Sequence, residues 1–184
     1  MTDLYQLPEQ TVLGGKTYTL NTDFRQILKI FRCFQDESLP ELLRWQVALR
    51  LFYRQPVERN HMQSAMAYLA EFIRCGMQET PAPPLFSWET DADAIIAGVN
   101  QAAHQEIRAV PHVHWWTFLS WFHAMPPGQL STVVTIRDKL RRGKKLEPWE
   151  KDFYRENKAR VDMKKPETDA DRQEKERLNR LLGR

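Results

Sequence analysis

The chain has 184 residues, of which 42% are hydrophobic and 11% aromatic, a composition typical of a globular protein that buries a core without cross-links. Residues 1–140 hold 12 Lys and Arg against 14 Asp and Glu, whereas residues 141–184 hold 15 against 10. The net charge of +3 therefore comes from the C-terminal quarter, where acidic and basic residues are mixed, so charge alone does not require a nucleic-acid partner.

Two further features bound the class of protein. Cys33 and Cys75 lie in apolar, helix-like segments, which favours buried free thiols in a reducing compartment over a disulfide or a reactive nucleophile. The N-terminal segment has no basic region followed by an apolar run, so a secretory signal is not expected.

The first predicted element is a β-hairpin. Its strand-like runs, Thr11–Leu13 and Lys16–Leu20, flank the pair Gly14-Gly15, which is a common two-residue turn. An isolated hairpin is only marginally stable, so we expect this one to pack on helices.

A first helix is predicted directly after the hairpin. Apolar residues recur at helical spacing from Phe24 to Phe34. Thr22 and Asp23 precede this run, and either side chain is suited to cap the helix. We therefore expect a structural role for this segment, with Phe24 in the core.

The next predicted elements are two helices and a connector. Ser38–Glu41 has the spacing of a capping box and predicts the start of a second helix, which is apolar on most sides. A third helix is predicted over Pro56–Cys75, with Gly76 at its end. Three prolines then predict an extended connector over Glu79–Pro84.

A fourth helix is predicted to begin near Thr90. Asp91 and Asp93 lie at its start, where an aspartate ordinarily caps the helix and interacts favourably with the helix dipole. Paired carboxylates that hold a cation are the less favoured alternative.

The stretch PHVHWWTFLSWFHAM, from Pro111 to Met125, predicts the fifth helix. It lies within 28 residues that lack Asp, Glu, Lys and Arg, but Pro126–Gly128 interrupts this run, so a buried helix is favoured over a membrane span. Trp115 falls on the apolar face and is predicted to be buried. Trp116 is rotated by about 100°, so we expect it nearer the edge of the core, where it is the better candidate for contact with a partner.

No motif in the sequence assembles an active site. The spacing of His112, His114 and His123 does not suit one metal ion on a helix. The run Gly15–Thr17 ends like a phosphate-binding loop, but Gln10 stands where that loop needs glycine. We therefore expect no enzyme activity, no metal and no cofactor.

These patterns predict a mainly α fold with a compact domain of about six or seven helices, a small N-terminal β-hairpin and a mobile, charged C-terminal tail. Further helices are predicted over Gln129–Lys139 and from Pro148 onward. The predicted divisions are an N-terminal segment with the hairpin over 1–22, a helical domain over 23–163 and the tail over 164–184.

Three ordered blocks carry a resemblance to a known family. They read NTDFR from Asn21, FSWETDADAII from Phe86, and HWWTFL from His114 followed by a Pro-Pro turn and Ile136-Arg137. Together they resemble the bacteriophage gp-fifteen family, whose members come from the tail-morphogenesis region of long-tailed phages and prophages. The residues that match family motifs and are candidates for partner contact are Asn21, Thr22, Asp23, Phe24, Arg25, Asp91, Asp93, His114, Trp115, Trp116 and Arg137.

The resemblance implies a helical accessory protein that acts as a tail assembly chaperone. Its expected partners are the tail tape measure protein and other tail proteins, with self-association left open and no membrane partner. Its expected place is the cytoplasm of the bacterial host, not the mature virion. The alternative is a nucleic-acid-binding phage accessory protein that uses the basic C-terminal region around Arg141–Lys145.

Overall fold

The computed structural model describes residues 5–75 and 84–163, and all structural statements refer to these residues. Three predicted features lie wholly or mostly outside them, namely Gly76, the connector up to Pro84 and the tail over 164–184. The fold is mainly α with one two-stranded hairpin near the N-terminus, as predicted.

The chain divides into two compact units. Unit 1 comprises Met1–Pro84 and Ala92–Gly128, and unit 2 comprises Leu85–Asp91 and Gln129–Arg184. The predicted boundaries at residues 22 and 163 stay a prediction. Unit 1 contains β1 (Gln10–Leu13), β2 (Lys16–Thr19), α1 (Phe24–Gln35), α2 (Glu41–Phe52), a 3-10 turn (Arg59–His61), α3 (Met62–Arg74), α4 (Ala92–Ala103) and α5 (Trp115–His123); unit 2 contains α6 (Gln129–Arg141), α7 (Pro148–Glu156) and α8 (Lys158–Val161).

The hairpin has the predicted turn and packs on the helical part of unit 1. Gly14 and Gly15 have φ values of 56° and 83°, a left-handed pair that glycine adopts without strain. A Cβ atom on Gly14 would also lie 2.1 Å from Nε2 of His61. Tyr18 of β2 is fully buried and its hydroxyl lies 2.9 Å from Nδ1 of His61, while its ring packs edge-on against Tyr53.

The core of unit 1 is built on α1 and α5. Phe24 is 3% exposed and stacks on Phe118, with 4.5 Å between ring centroids. The ring of Trp115 also stacks on Phe118, with 5.6 Å between centroids, and lies 5.8 Å from the ring of Phe31 of α1. The predicted core positions of Phe24 and Trp115 are therefore confirmed.

The predicted cap of α1 is confirmed in one of its two alternatives, and the predicted cap of α2 is wrong. Asp23 caps α1, because its Oδ1 accepts a hydrogen bond from the backbone N–H of Arg25 at 2.9 Å, so Thr22 is not the cap. The predicted capping box at Ser38 is wrong, because the N-cap of α2 is Pro40 and the hydroxyl of Ser38 donates instead to Asp36. Ser38 lies too far before the first turn of α2 to reach its free N–H groups.

The start of α3 is also later than predicted. A helical conformation is disfavoured for the residue before Pro56, and the backbone N–H of Arg54 donates to the carbonyl of Thr19 on β2 at 3.0 Å. The segment before Met62 therefore follows the edge of the hairpin before the chain turns into the helix. At the other end, Cys75 takes the left-handed conformation with φ of 51°.

Unit 2 begins with the segment before α4 and continues into three helices. α6 ends where Gly143 takes a φ of 63°. α7 begins with a capping box in which Glu147 and Glu150 each accept a backbone N–H of the other. The predicted last helix divides at Asn157 into α7 and α8, which brings the described part of the chain to eight helices.

Phe24→Ala is expected to lower the free energy of unfolding by about 3–5 kcal/mol, because it removes a buried ring that stacks on Phe118. Urea denaturation followed by circular dichroism measures this loss. Lys29→Ala, at an exposed position of the same helix, is the control and should change stability by less than about 0.5 kcal/mol. An unchanged unfolding transition in Phe24→Ala would contradict the core assignment.

Candidate partner-binding surface

The first motif segment, Asn21–Arg25, is tied to the end of α2. The backbone N–H of Asn21 donates to the carbonyl of Phe52 at 2.6 Å, and its side-chain amide donates to the carbonyl of Leu51 at 2.9 Å. Both acceptors belong to the last turn of α2, where helix carbonyls have no partner within the helix. Asn21 therefore completes a helix end and leaves little hydrogen-bonding capacity for a ligand.

The same segment is tied on its other side to the start of α5. The backbone N–H of Trp115 donates to the carbonyl of Thr22 at 2.7 Å, and that of Phe24 donates to the carbonyl of Val113 at 2.9 Å. Asp23 and His114 form the bridge between the two strands of backbone. Two of the three resemblance blocks are thus brought together, as parts of one backbone junction.

Charge completes this junction. Oδ2 of Asp23 accepts from the backbone N–H of Val113 at 3.0 Å and from Nη1 of Arg25 at 2.8 Å. Nη2 of Arg25 donates in turn to the carbonyls of Ile107 and Val110 at 2.9 and 2.8 Å. The carboxylate and the guanidinium are thus saturated by backbone groups of three segments, so both residues have structural roles.

His114 is the N-cap of α5. Its Nδ1 accepts the backbone N–H of Trp116 at 3.1 Å, and its Nε2 lies 3.3 Å from the carbonyl of Pro8. These contacts require the neutral imidazole with the proton on Nε2. Burial lowers the pKa of His114, which agrees with a ring held neutral.

Trp116 is buried, and the expectation that it lies near the edge of the core is wrong. It is 4% exposed, and Trp115 is 1% exposed. The indole N–H of Trp115 donates to the carbonyl of Ile73, and that of Trp116 to the carbonyl of Phe72, each at 2.9 Å. α3 therefore packs on the side of α5 from which Trp116 projects, and neither indole ring is exposed to a partner.

In unit 2, Arg137 and Asp91 form a buried ion pair. Nη1 and Nη2 of Arg137 lie 2.6 and 3.0 Å from the two carboxylate oxygens of Asp91, and the side chains are 5% and 1% exposed. The guanidinium also donates to the carbonyls of Leu85, Arg160 and Val161. Arg137 of α6 thus joins the segment before α4 to the end of α8.

The ion pair with Arg137 changes the interpretation of Asp91 in the segment that precedes α4. The carboxylate of Asp91 accepts from Arg137 and from the backbone N–H of Ser87 at 2.9 Å, and its role as a cap of α4 stays a prediction. Its oxygens are committed to a guanidinium, which also argues against the cation alternative. Asp93 is exposed in the first turn of α4.

The described residues contain neither a candidate membrane span nor a metal-binding cluster. No helix among them has the length and apolar character needed to cross a bilayer. Within the same ranges, 5–75 and 84–163, no group of three or more His, Cys, Asp or Glu side chains is placed to hold a metal ion.

Unit 1 has an apolar groove beside α2, called the α2 groove below. Its volume is about 710 Å³, within the range of about 300–1,000 Å³ that is typical of binding clefts. The groove is lined by Leu43, Gln46, Val47, Leu49, Arg50, Tyr53, Arg54, Gln55, Pro56, Val57 and Met62. The exposed Leu42, at 70%, precedes it on the same helix.

None of the groove residues was among the predicted site residues, although a signal for them exists. The second helix was predicted to be apolar on most sides, and one core face cannot account for all of those residues. The structure buries Ala48, Leu49 and Phe52 of α2, while Leu43 stays 41% exposed. The surplus apolar residues of α2 therefore form the outer face.

A family model described as Bacteriophage Gp15 protein matches residues 4–163. The chain belongs to this family, as its sequence blocks predicted, and is a phage-associated protein. A search of curated proteins and a search of solved structures gave no match.

Asp91→Asn is expected to destabilise unit 2 by about 3–5 kcal/mol, because it leaves the Arg137 guanidinium buried without a counter-charge. Urea denaturation measures the loss. Asp152→Asn is the control, since it breaks an ion pair with Arg155 of similar length, 2.8 Å, in which Asp152 is 60% exposed, and should cost about 1 kcal/mol or less. Equal costs for the two variants would contradict the role given to Arg137.

His114 is expected to make stability depend on pH. Burial lowers the pKa of His114 in the folded chain below its ordinary value of about 6.5. The unfolded chain therefore binds more protons in mild acid, so stability is complete above about pH 6.5 and falls as the pH drops toward the folded value.

Urea denaturation at about pH 7.5 and about pH 5.5 tests this dependence. His114→Asn keeps an oxygen that can cap α5 and does not titrate, so it is expected to reduce the loss in acid. His104→Asn is the control, because His104 is exposed and its left-handed conformation, with φ of 53°, suits Asn. An identical pH dependence in both variants would show that His114 is not the group responsible.

Proposed function

We propose that this protein is a tail assembly chaperone that binds the tape measure protein, or other tail components, during tail morphogenesis in the host cytoplasm. The observation that carries the proposal is the α2 groove, an open apolar surface on a member of a phage protein family. On this proposal the protein is not an enzyme and needs no cofactor.

The groove suits a chaperone because a long helical partner exposes apolar faces before it is enclosed by other subunits. Such faces associate with one another in water unless another apolar surface covers them. Leu43 and Val47 present an apolar strip of this kind without any movement of the core. The motif residues support the proposal indirectly, since they hold the end of α2 in place through Asn21.

Nucleic-acid binding is the second candidate, and one observation favours it. Trp149 is 57% exposed and follows the basic loop that contains Lys144 and Lys145, an arrangement that can stack a base beside a phosphate. Other cations nearby are neutralised, because Lys139 pairs with Glu150 and Arg142 pairs with Asp138. We therefore rank this candidate below the chaperone.

Co-expression with fragments of the tape measure protein of the same phage tests the proposal. The fragments are expected to be insoluble alone and to become soluble and co-elute when the chain is present, because their apolar faces are then covered. The control is co-expression with an unrelated helical protein of similar size. Fragments that remain insoluble with the chain, or elute apart from it, would refute the chaperone proposal.

The same preparation discriminates the second candidate. Lys144→Glu/Lys145→Glu should leave the tape measure complex intact, since both residues lie in unit 2 and outside the α2 groove. Retardation of a single-stranded oligonucleotide by the wild type, weakened by added salt and lost in this variant, would favour nucleic-acid binding instead.

A further inference from the structure

The outer face of α2 is opposite to its buried face. Leu43, Val47 and Arg50 follow one another at intervals of four and three residues, so they project from the same side of the helix. The buried Phe52 lies about half a turn away from that side at 100° per residue, and the buried Leu49 lies between the two faces and also lines the groove. α2 therefore has two apolar faces, of which only one is used by the core of unit 1.

The groove also carries positive charge that no side chain of the described residues neutralises. Arg50 and Arg54 line it, both are exposed, and neither makes a side-chain hydrogen bond or an ion pair within the described part of the chain. No Asp or Glu is among the lining residues. Elsewhere in the same unit, Arg25 and Arg108 are each paired with a carboxylate.

A structural role within the fold can be given to the side chain of Arg50 but not to that of Arg54. Arg50 lies in the last turn of α2, where a positive charge interacts favourably with the helix dipole. Arg54 lies beyond the helix, after Tyr53 in an extended conformation, and only its backbone is engaged, by Thr19. The charge at this end of the groove is therefore available to a partner.

The dimensions of the groove suit a helix. From Leu43 to Phe52, α2 runs for about 13 Å at roughly 1.5 Å per residue, which matches about two and a half turns of a second helix laid along it. Such a helix places side chains at i, i+4 and i+7 into an apolar groove. Val57 and Met62, which follow α2 in the chain, contribute further apolar lining.

We propose that the α2 groove binds an amphipathic helix of the partner whose apolar stripe is bordered by Asp or Glu residues that pair with Arg50 and Arg54. This inference deepens the proposed function and rests on it for the identity of the partner. A second copy of the chain is a poor occupant, because two α2 grooves brought face to face would place four arginines together with no carboxylate between them.

Two designed helical peptides and the full chain test the charge requirement. Both carry leucines at i, i+4, i+7 and i+11; one has Glu beside this stripe and the other has Lys. Fluorescence anisotropy is expected to give at least about tenfold tighter binding of the Glu peptide, and added salt should reduce the difference because it screens the ion pairs. Equal affinities for the two peptides would overturn the proposal.

Charge reversal in the groove is the stricter test. Arg50→Glu/Arg54→Glu is expected to weaken binding of the Glu peptide at least about tenfold and to make the Lys peptide the tighter ligand. Lys29→Glu/Arg74→Glu is the matched control, because it changes the net charge equally at two exposed positions of unit 1 that do not line the groove. Reversal of preference in the control as well would mean that net charge, and not the groove, determines binding.

Two leucine substitutions test whether binding needs the apolar surface of the groove. Leu43 and Leu140 are each 41% exposed, but only Leu43 lines the groove. Leu43→Asp is expected to abolish binding of both peptides, whereas Leu140→Asp should leave both affinities unchanged. Binding that survives Leu43→Asp, or a wild-type dimer that this substitution dissociates, would overturn the proposal.

The peptide assay and the co-expression assay test the groove specificity and the proposed function separately, so either proposal can be contradicted without the other. Peptides that bind with the expected charge preference, while tape measure fragments do not bind, would refute the proposed function and retain the groove specificity. A tape measure complex that tolerates both Leu43→Asp and the arginine reversal would retain the function and overturn the groove as its site.

Discussion

Unit 1 depends on the carboxylate of Asp23. One of its oxygens caps α1, and the other accepts the backbone N–H of Val113 and the guanidinium of Arg25. A single ionised group thus fixes the start of α1 and holds the segment before α5 beside it. The same group positions Arg25, whose guanidinium donates to the carbonyls of Ile107 and Val110. Charged hydrogen bonds of this kind are stronger than neutral ones, and the carboxylate is only partly exposed, so water competes weakly for it.

This arrangement separates the motif residues from the surface that we propose for binding. The stacking of Phe24 on Phe118 and the indole hydrogen bonds of Trp115 and Trp116 can form only when the segment held by Asp23 is in place. The same segment reaches the last turn of α2 through Asn21, so the outer face of α2 is presented by a rigid support. The family blocks therefore specify a framework, and on our proposal recognition is left to residues that the blocks do not include.

The sequence was sufficient for features that depend on local physical chemistry and insufficient for those that depend on long-range contacts. The hairpin turn, the start of α1 and the burial of Phe24 and Trp115 follow from glycine conformation, capping and helical periodicity. The burial of Trp116 could not be predicted, because the carbonyls that bind it come from α3, more than 40 residues earlier. The pairing of Asp91 with Arg137 was missed for the same reason, since a local rule assigned this aspartate to the nearest helix.

The contrast between buried and exposed tryptophans has a spectroscopic consequence. Trp115 and Trp116 of unit 1 are enclosed by rings and by the end of α3, whereas Trp149 of unit 2 is 57% exposed. An indole in apolar surroundings emits at shorter wavelength than one in water, because water relaxes around its excited-state dipole. The emission of Trp115 and Trp116 is therefore expected at shorter wavelength than that of Trp149, while Trp45, Trp88 and Trp121 are half-buried and contribute at intermediate wavelengths. In a variant that carries Phe at these three positions, intrinsic fluorescence would report on the melting of each unit separately.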